Sequence, residues 1–593
     1  MTNSVGKIPG REAELVPFVQ EIIAECYVSL ERRRDMYRYF RQFYYTGSSD
    51  GGGSKHNKCF SHIDKLSSLL FSPSEVKFDI SFDGDEVGPF AEMGDTAARY
   101  LTKEYYRSKS GIVFGQAVEV ALVEQCAFTR KVWGHHGAES YVIRPQFMGV
   151  LREDIADLDK QDAFVNSFYV TPRGLRRLLA NRADRDAIVD RVKAEATKPA
   201  QTDTDGDYFH EIVMGGLQPI TTTGTPSGQK GSVSLYAMPQ PMMAPEIATS
   251  LIRIDEAWIM DDEREDWTTI RYVDPGIILE GADRHRNLSD IPHEQPFTKV
   301  CPNEVPGYFW GMSELATVSN LQELLTARLN DADNIIKRQS RPSRVFSGFS
   351  SINPERAAAL MSLDGILSDD SMQTKIETLA PTMPPDMLRW IEAIETWFDD
   401  QAGITPIMQG QGEQGVRSGN HAGALMRTST PRLRDRAMLV ETQCATDGDL
   451  HLKMLQAKDA RVFTVPGTGA AAGTGGQGGG GGLGGILAKI LGAGGAPAPQ
   501  SQQFLLAQLP DDATVMVDSH SSSPAFSGDQ MNNAYNLKRF GAIDNEDLID
   551  MIPGLPRASE LKLKARKREQ QESAFLAQHP ELLAKGGAKG GRR

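Results

Sequence analysis

Two stretches decide how this chain folds: GMSELATVSNLQELLTARLNDADNIIKRQSRP, residues 311–342, and PPDMLRWIEAIETWFDDQAG, residues 384–403. In the first, Leu315, Val318, Leu321, Leu325, Leu329, Ala332 and Ile336 recur every three or four residues, which places an apolar stripe on one helical face. Ser313 is a candidate N-cap, Lys337 and Arg338 sit where a helix dipole favours cations, and Pro342 ends the pattern. The second stretch opens on Pro384-Pro385-Asp386 and repeats Met387, Trp390, Ile391, Ile394, Trp397 and Phe398 at helical spacing until Gly403. The spacing predicts two helices that run out and back. Arg344-Val345-Phe346 and Lys375–Leu379 read as short strands between them, flanking a small helix around 356–361.

Composition bounds the rest. A chain of 593 residues normally divides into several domains, and 40% hydrophobic with 24% charged residues is ordinary for globular chains. A formal charge of -14 argues against a general nucleic-acid binder, because non-specific affinity needs phosphates neutralised by Lys and Arg; any such contact must be local. The five cysteines, Cys26, Cys59, Cys126, Cys301 and Cys444, are scattered without metal-knuckle spacing and read as reduced, buried thiols. No stretch has the roughly 18 consecutive apolar residues of a membrane-spanning helix, and Met1 to Leu15 has no apolar signal core. The chain is expected to be made in a reducing cytoplasm.

From Pro17 to Tyr45 the pattern is helical and rich in aromatics. Arg32-Arg33-Arg34 is bracketed by Glu31 and Asp35, which predicts a solvated face and not a nucleic-acid helix. The glycine-rich 48–55 loop carries Gly53-Ser54-Lys55, the wrong order for a phosphate cradle. His56, Cys59 and His62 share a helical face, but with no second cluster they read as a polar helix start. Helices over 63–71 and 95–108, a strand over 76–82, further segments at 118–132, 141–150 and 163–169, and one helix over 172–196 make an α+β region. Asp203, Asp205 and Asp207 alternate as in a calcium loop but lack its glycine and its terminal glutamate, so they read as a polar turn. Residues 215–245 read as a surface loop, and strands at 252–260, 267–273 and 276–279 form a meander. The acidic run at 261–266 is expected to be its solvated turn.

Residues 409–419 read as a glycine-rich loop, followed by a helix over 419–457 that Pro431 should kink. Residues 467–499 are low-complexity, yet Leu483, Ile486, Leu487, Ile490 and Leu491 fall on one helical face there. A strand at 516–519, helices at 531–540, 545–551 and 558–578, and a basic tail complete the pattern.

The succession Pro306-Gly307-Tyr308-Phe309-Trp310-Gly311-Met312-Ser313-Glu314-Leu315, a helix carrying Gln322 and Asn330, an αβ insert, a return helix, a glycine-rich loop and another long helix resembles the portal proteins of tailed bacteriophages. The resemblance lies in the order of elements and covers most of the chain. It implies an α+β multidomain fold: an α/β N-terminal wing over 1–311, a descending stem helix over 312–339, a clip over 340–384, an ascending stem helix over 385–404 and a tunnel loop over 405–420. A wing segment with the kinked helix and glycine-rich insert over 421–525, and a helical crown with basic tail over 526–593, would follow.

The resemblance further implies a homo-oligomeric ring, a dodecamer, at one capsid vertex of the virion, assembled in the host cytoplasm. Double-stranded DNA passes its channel during packaging and ejection. The terminase large subunit, tail and adaptor proteins, and the major capsid and scaffolding proteins are its partners, with no membrane and no cofactor or metal. Arg417, Lys337, Arg338, Arg341 and Arg344 are then the candidates for facing DNA, and Leu315, Val318, Leu321, Leu325, Leu329, Ile336, Trp390, Ile394 and Trp397 for stem packing. No enzymatic motif is present, so a non-portal virion or scaffold protein, and an enzyme with an unrecognised motif, are the competing readings.

Overall fold

In the computed structural model the described residues are 8–9, 12–48, 56–82, 89–134, 136–180, 182–196, 252–261, 266–274, 276–280, 287–340, 343–347, 375–379, 382–403, 431–465, 502–510, 513–517, 535–540 and 548. They form a mixed α+β fold. In chain order the elements are α1 (Glu12–Cys26), α2 (Leu30–Thr46), α3 (Lys58–Leu70), β1 (Phe78–Ser81), α4 (Pro89–Arg107), α5 (Ser110–Glu124), β2 (Ala127–Gly134), β3 (Gly137–Ile143), β4 (Met148–Val150) and β5 (Ala163–Val170). There follow α6 (Pro172–Leu178), α7 (Arg185–Ala196), β6 (Ile252–Asp261), β7 (Asp266–Val273), β8 (Ile277–Glu280), β9 (Phe297–Val300), α8 (Leu315–Ser340), β10 (Ser343–Ser347) and β11 (Lys375–Leu379). Last come α9 (Met387–Ala402), α10 (Pro431–Lys458), β12 (Val462–Val465), β13 (Gln502–Leu505) and β14 (Thr514–Val517).

An antiparallel sheet in the order β4-β5-β6-β7-β8 carries the N-terminal region, beside a three-stranded sheet β3-β2-β9. Helix α1 covers one face of the larger sheet through Leu15, Val19 and Ile22 against Val165, Ala257 and Ile270. The other face meets β2 and β9 through Phe164, Trp258, Phe128 and Phe297. Glu256, fully buried in β6, is neutralised by Arg130 at 2.9 Å and Arg271 at 2.8 Å; burial pushes its carboxyl up, but the two guanidiniums outweigh this and hold it below the usual carboxylate range. The largest core gathers α2, α3, α4, α5 and α10, and includes Phe78, Val515 and Val517 from the pair β1-β14.

Two sequence expectations change. The single helix over 172–196 is two helices, α6 and α7, which pack on each other and on β6 and β8 through Leu175, Leu179, Ile188, Val189, Ile254 and Leu279. Arg182, at the break, donates to the carbonyls of Ile278 and Leu279 at 2.9 Å, fixing the reversal that lets both helices cover the sheet. The expected kink at Pro431 falls at the edge of the described residues: α10 runs from Pro431 to Lys458, and 419–430 lie outside them. Arg33 is not solvated but 2% exposed, packed under Trp310. The calcium-like aspartates, the 215–245 and 409–419 loops, the small helix at 356–361, the glycine-rich insert and the helix at 558–578 lie outside the described residues.

Candidate functional site: the helical hairpin and its root

Helices α8 and α9 form an antiparallel hairpin. The inner faces meet through Leu325, Ala332, Ile391 and Ile394, supplemented by Leu324, Leu329, Met383 and Met387. Leu315, Val318 and Phe398 belong instead to the main core, with Leu321 packed beside them, so the hairpin's base is continuous with the body. At the C-terminus of α9, Gly403 takes the left-handed conformation the sequence predicts (φ 69°), its N–H closing on Asp399 and Asp400. The tip carries the antiparallel pair β10-β11, with Arg344 opposite Thr378.

The root is held by polar contacts from three directions. Ser313 donates to the carbonyl of Val123 at 2.7 Å and accepts from the N–H of Leu315 at 3.2 Å, the expected capping contact. Glu314 lies among His62 (3.3 Å), Arg436 (3.0 Å) and Asn303 (3.1 Å), joining α3, α8 and α10. Burial pushes the Glu314 carboxyl up, but the hydrogen bond with His62 and the charge of Arg436 prevail and bring it to about 2. Higher up, Lys58 at the start of α3 straps both limbs. Its N–H donates to Gln322 Oε1 at 3.0 Å, and its Nζ reaches Asp399 Oδ1 at 2.8 Å and the Glu395 carbonyl at 3.2 Å. Gln322 returns a bond to the His56 carbonyl at 2.9 Å.

The hairpin leaves several large apolar side chains uncovered. Ile336, Leu388, Trp390 and Trp397 are exposed, each tryptophan 44% accessible, and the two indoles meet edge to face at 5.2 Å. An open cleft of about 820 Å³ between the limbs is bordered by Arg328, Arg338, Asp386, Arg389 and Trp390. Of the proposed DNA-facing cations, Lys337 pairs with Asp333 at 2.6 Å, Arg338 borders that cleft and Arg344 stands on β10; Arg341 and Arg417 lie outside the described residues. The proposed stem-packing set divides. Leu315, Val318, Leu325 and Ile394 are buried within the chain, Leu321 and Leu329 are half-buried, and Ile336, Trp390 and Trp397 are exposed.

His56, Cys59 and His62 do not converge: Cys59 and His62 point into the core while His56 is exposed. Among the described residues no group of three His, Cys, Asp or Glu side chains is placed to hold a metal ion, and no helix is long and apolar enough to cross a membrane. Sequence reasoning missed the Lys58 strap and a buried network around α10. There Lys131 Nζ lies 2.6 Å from Asp447 Oδ2, which also accepts from Tyr105 at 2.8 Å, while Thr129 donates to Oδ1. His451, one turn further along α10, is fully buried against Tyr105 with neither ring nitrogen bonded. The available signal was thin: a lysine in an apolar strand, and Asp447 and His451 four apart on one helix.

No protein-family model matches the chain, and no curated protein matches it in sequence.

Proposed function

We propose that the chain is a portal protein, the ring subunit at a capsid vertex through which double-stranded DNA is packaged and ejected. The observation that carries the reading is the hairpin. Its two helices use one apolar face on each other and leave large apolar side chains uncovered in a single chain: Trp390 and Trp397, in contact on one flank of α9, Leu388 on the opposite flank, and Ile336 where the α8 stripe runs on past the seam. Exposed large apolar side chains such as the paired indoles mark association, and a hairpin that carries them on both flanks suits a closed ring in which each copy covers the next. The β10-β11 pair at the tip, the α+β region before the hairpin and the long α10 after it follow the order of clip, wing and returning helix.

In this reading Lys337, Arg338, Arg341, Arg344 and Arg417 present a few cations per copy to the channel. Around a ring they centre a duplex by Coulomb attraction, while the net charge of -14 keeps it from sticking. The tip docks the terminase large subunit and later the tail and adaptor proteins. Solution mass with negative-stain imaging tests the proposal: a closed ring of about twelve 65.1 kDa chains is expected. A monomer or small oligomer overturns it, and an open lattice favours a non-portal virion or scaffold protein.

A further inference from the structure

The ladder between β2 and β9 pairs Arg130 with Phe297, Thr129 with Thr298, Phe128 with Lys299 and Ala127 with Val300. One step beyond the last pair, Cys126 stands opposite Cys301. The Lys131 N–H donates to the Pro296 carbonyl at 2.8 Å, which fixes the phase of the ladder. Pairs 131/296, 129/298 and 127/300 are hydrogen-bonded, and the alternating set, which includes Cys126/Cys301, is not. In that set facing Cα atoms are about 4.5 Å apart, within the span of about 4.4–6.8 Å that a disulfide bridges. The Cys301 N–H agrees with this phase: it turns away from β2 and donates to Gln443 Oε1 at 3.0 Å. Both side chains lie on the same face, sharing a core with Phe128 and Phe297, and Cys301 Sγ is 3.6 Å from the carbonyl oxygen of Gln125, the residue before Cys126. Both are free, buried thiols.

We propose that Cys126 and Cys301 form an oxidation-sensitive pair that closes to a cross-strand disulfide when the folded protein meets a hydroperoxide. The sulfur of one cysteine attacks the peroxide, breaking the O–O bond; it becomes a sulfenic acid, and the departing oxygen leaves as water with the thiol's proton. The second sulfur then attacks the sulfenic sulfur, forming the S–S bond and breaking S–O, and a second water leaves. Two thiols are oxidised and one peroxide is reduced to two waters when the oxidant is hydrogen peroxide. Burial pushes the Cys301 thiol up to about 12 and Cys126 well above its ordinary value, so thiolate is scarce and closure is slow. A small oxidant reaches the pair where a bulky reagent does not. The bond fastens β2 to the segment from Cys301 to Glu314 that leads into α8, locking the hairpin's root to the body. This inference stands apart from the portal reading.

The test treats the full chain with hydrogen peroxide, removes the peroxide with catalase, then unfolds and alkylates. Of five cysteines, Cys126 and Cys301 become protected together and appear in one cross-linked peptide about two daltons lighter than its parts. Dithiothreitol restores both, and the oxidised form melts several degrees higher, because a bridge across a long loop restricts the unfolded chain. In Cys301→Ala, Cys126 loses its partner, and its sulfenic acid is trapped by dimedone added as the chain is unfolded. The proposal is overturned if both thiols remain alkylatable after surface methionines have oxidised. Separate conversion to sulfinic acids, or linkage to Cys26, Cys59 or Cys444, overturns it equally, and these outcomes are read on the wild-type chain whether or not the variant folds.

Discussion

The guanidinium of Arg33 lies 3.6 Å from the ring centroid of Trp310, and the indole N–H and the guanidinium both address Glu153. Arg33 also donates to Tyr37 and to Ser29, so α2 is pinned to the segment that leads into the hairpin. A planar guanidinium stacks and forks in ways an ammonium does not. Arg33→Ala is expected to destabilise the body by about 3 kcal/mol in urea unfolding, through lost packing and a half-abandoned Glu153. Arg33→Lys should recover less than half; full recovery would make charge alone the relevant property.

Lys131 and Asp447 are both fully buried, so removing one strands the other. Asp447→Leu should cost about 3–5 kcal/mol, whereas combining it with Lys131→Met should restore most of it, because no uncompensated charge remains. A double-mutant cycle by denaturant unfolding measures this, and an additive double variant would rule out the coupling.

Glu314 supplies an acid-side prediction. Its folded carboxyl stands at about 2, below the unfolded value of about 4.3, so the unfolded chain binds the proton first as pH falls. The stabilisation, roughly 3 kcal/mol, is complete above about pH 5 and lost as pH falls through about 2. Glu314→Gln should therefore be less stable at neutral pH and should flatten the acid unfolding curve, read by circular dichroism.

His451 acts in a higher window. Burial, with Lys131 adding to it, holds its imidazole well below the ordinary range, so the folded chain keeps it neutral while the unfolded chain protonates near pH 6.5. Stability should fall by about 1.4 kcal/mol per pH unit below that point. His451→Leu should remove that slope between about pH 6.5 and 5, a change visible in chemical-denaturation midpoints taken at each pH.

The hairpin's two faces should separate in a mutant pair. Ile394→Asp places a charge in the inner seam and should unfold the hairpin itself. Trp397→Glu, on the outer face, should leave the melting temperature of the single chain within a degree or two while abolishing assembly measured by light scattering. Assembly that survives Trp397→Glu would place the contact elsewhere.

The hairpin was the most legible part of the chain because its evidence is local. A stripe every three or four residues, Ser313 before it and a glycine at Gly403 are all written within one element. Arg33 was misread for the opposite reason. Its neighbours Glu31 and Asp35 suggested a solvated face, and nothing near it in sequence announces Trp310. The Lys58 strap and the Lys131–Asp447 network are likewise agreements between distant segments, invisible to periodicity. The break at Arg182 was missed because its partners are carbonyls on β8, and a backbone acceptor leaves no mark in a sequence.

The pairing of Ser81 with Thr514, at one end of β1-β14, sets an order of events during synthesis. Strand β1 leaves the ribosome early and has no strand partner among the described residues until β14 follows more than four hundred residues later. The α8–α9 seam, by contrast, closes between segments of one neighbourhood, and such local contacts form fastest. While translation proceeds, the finished hairpin is therefore attached to a body whose last sheet edge is still open, and that edge is where a nascent copy is most exposed to pairing with the wrong chain.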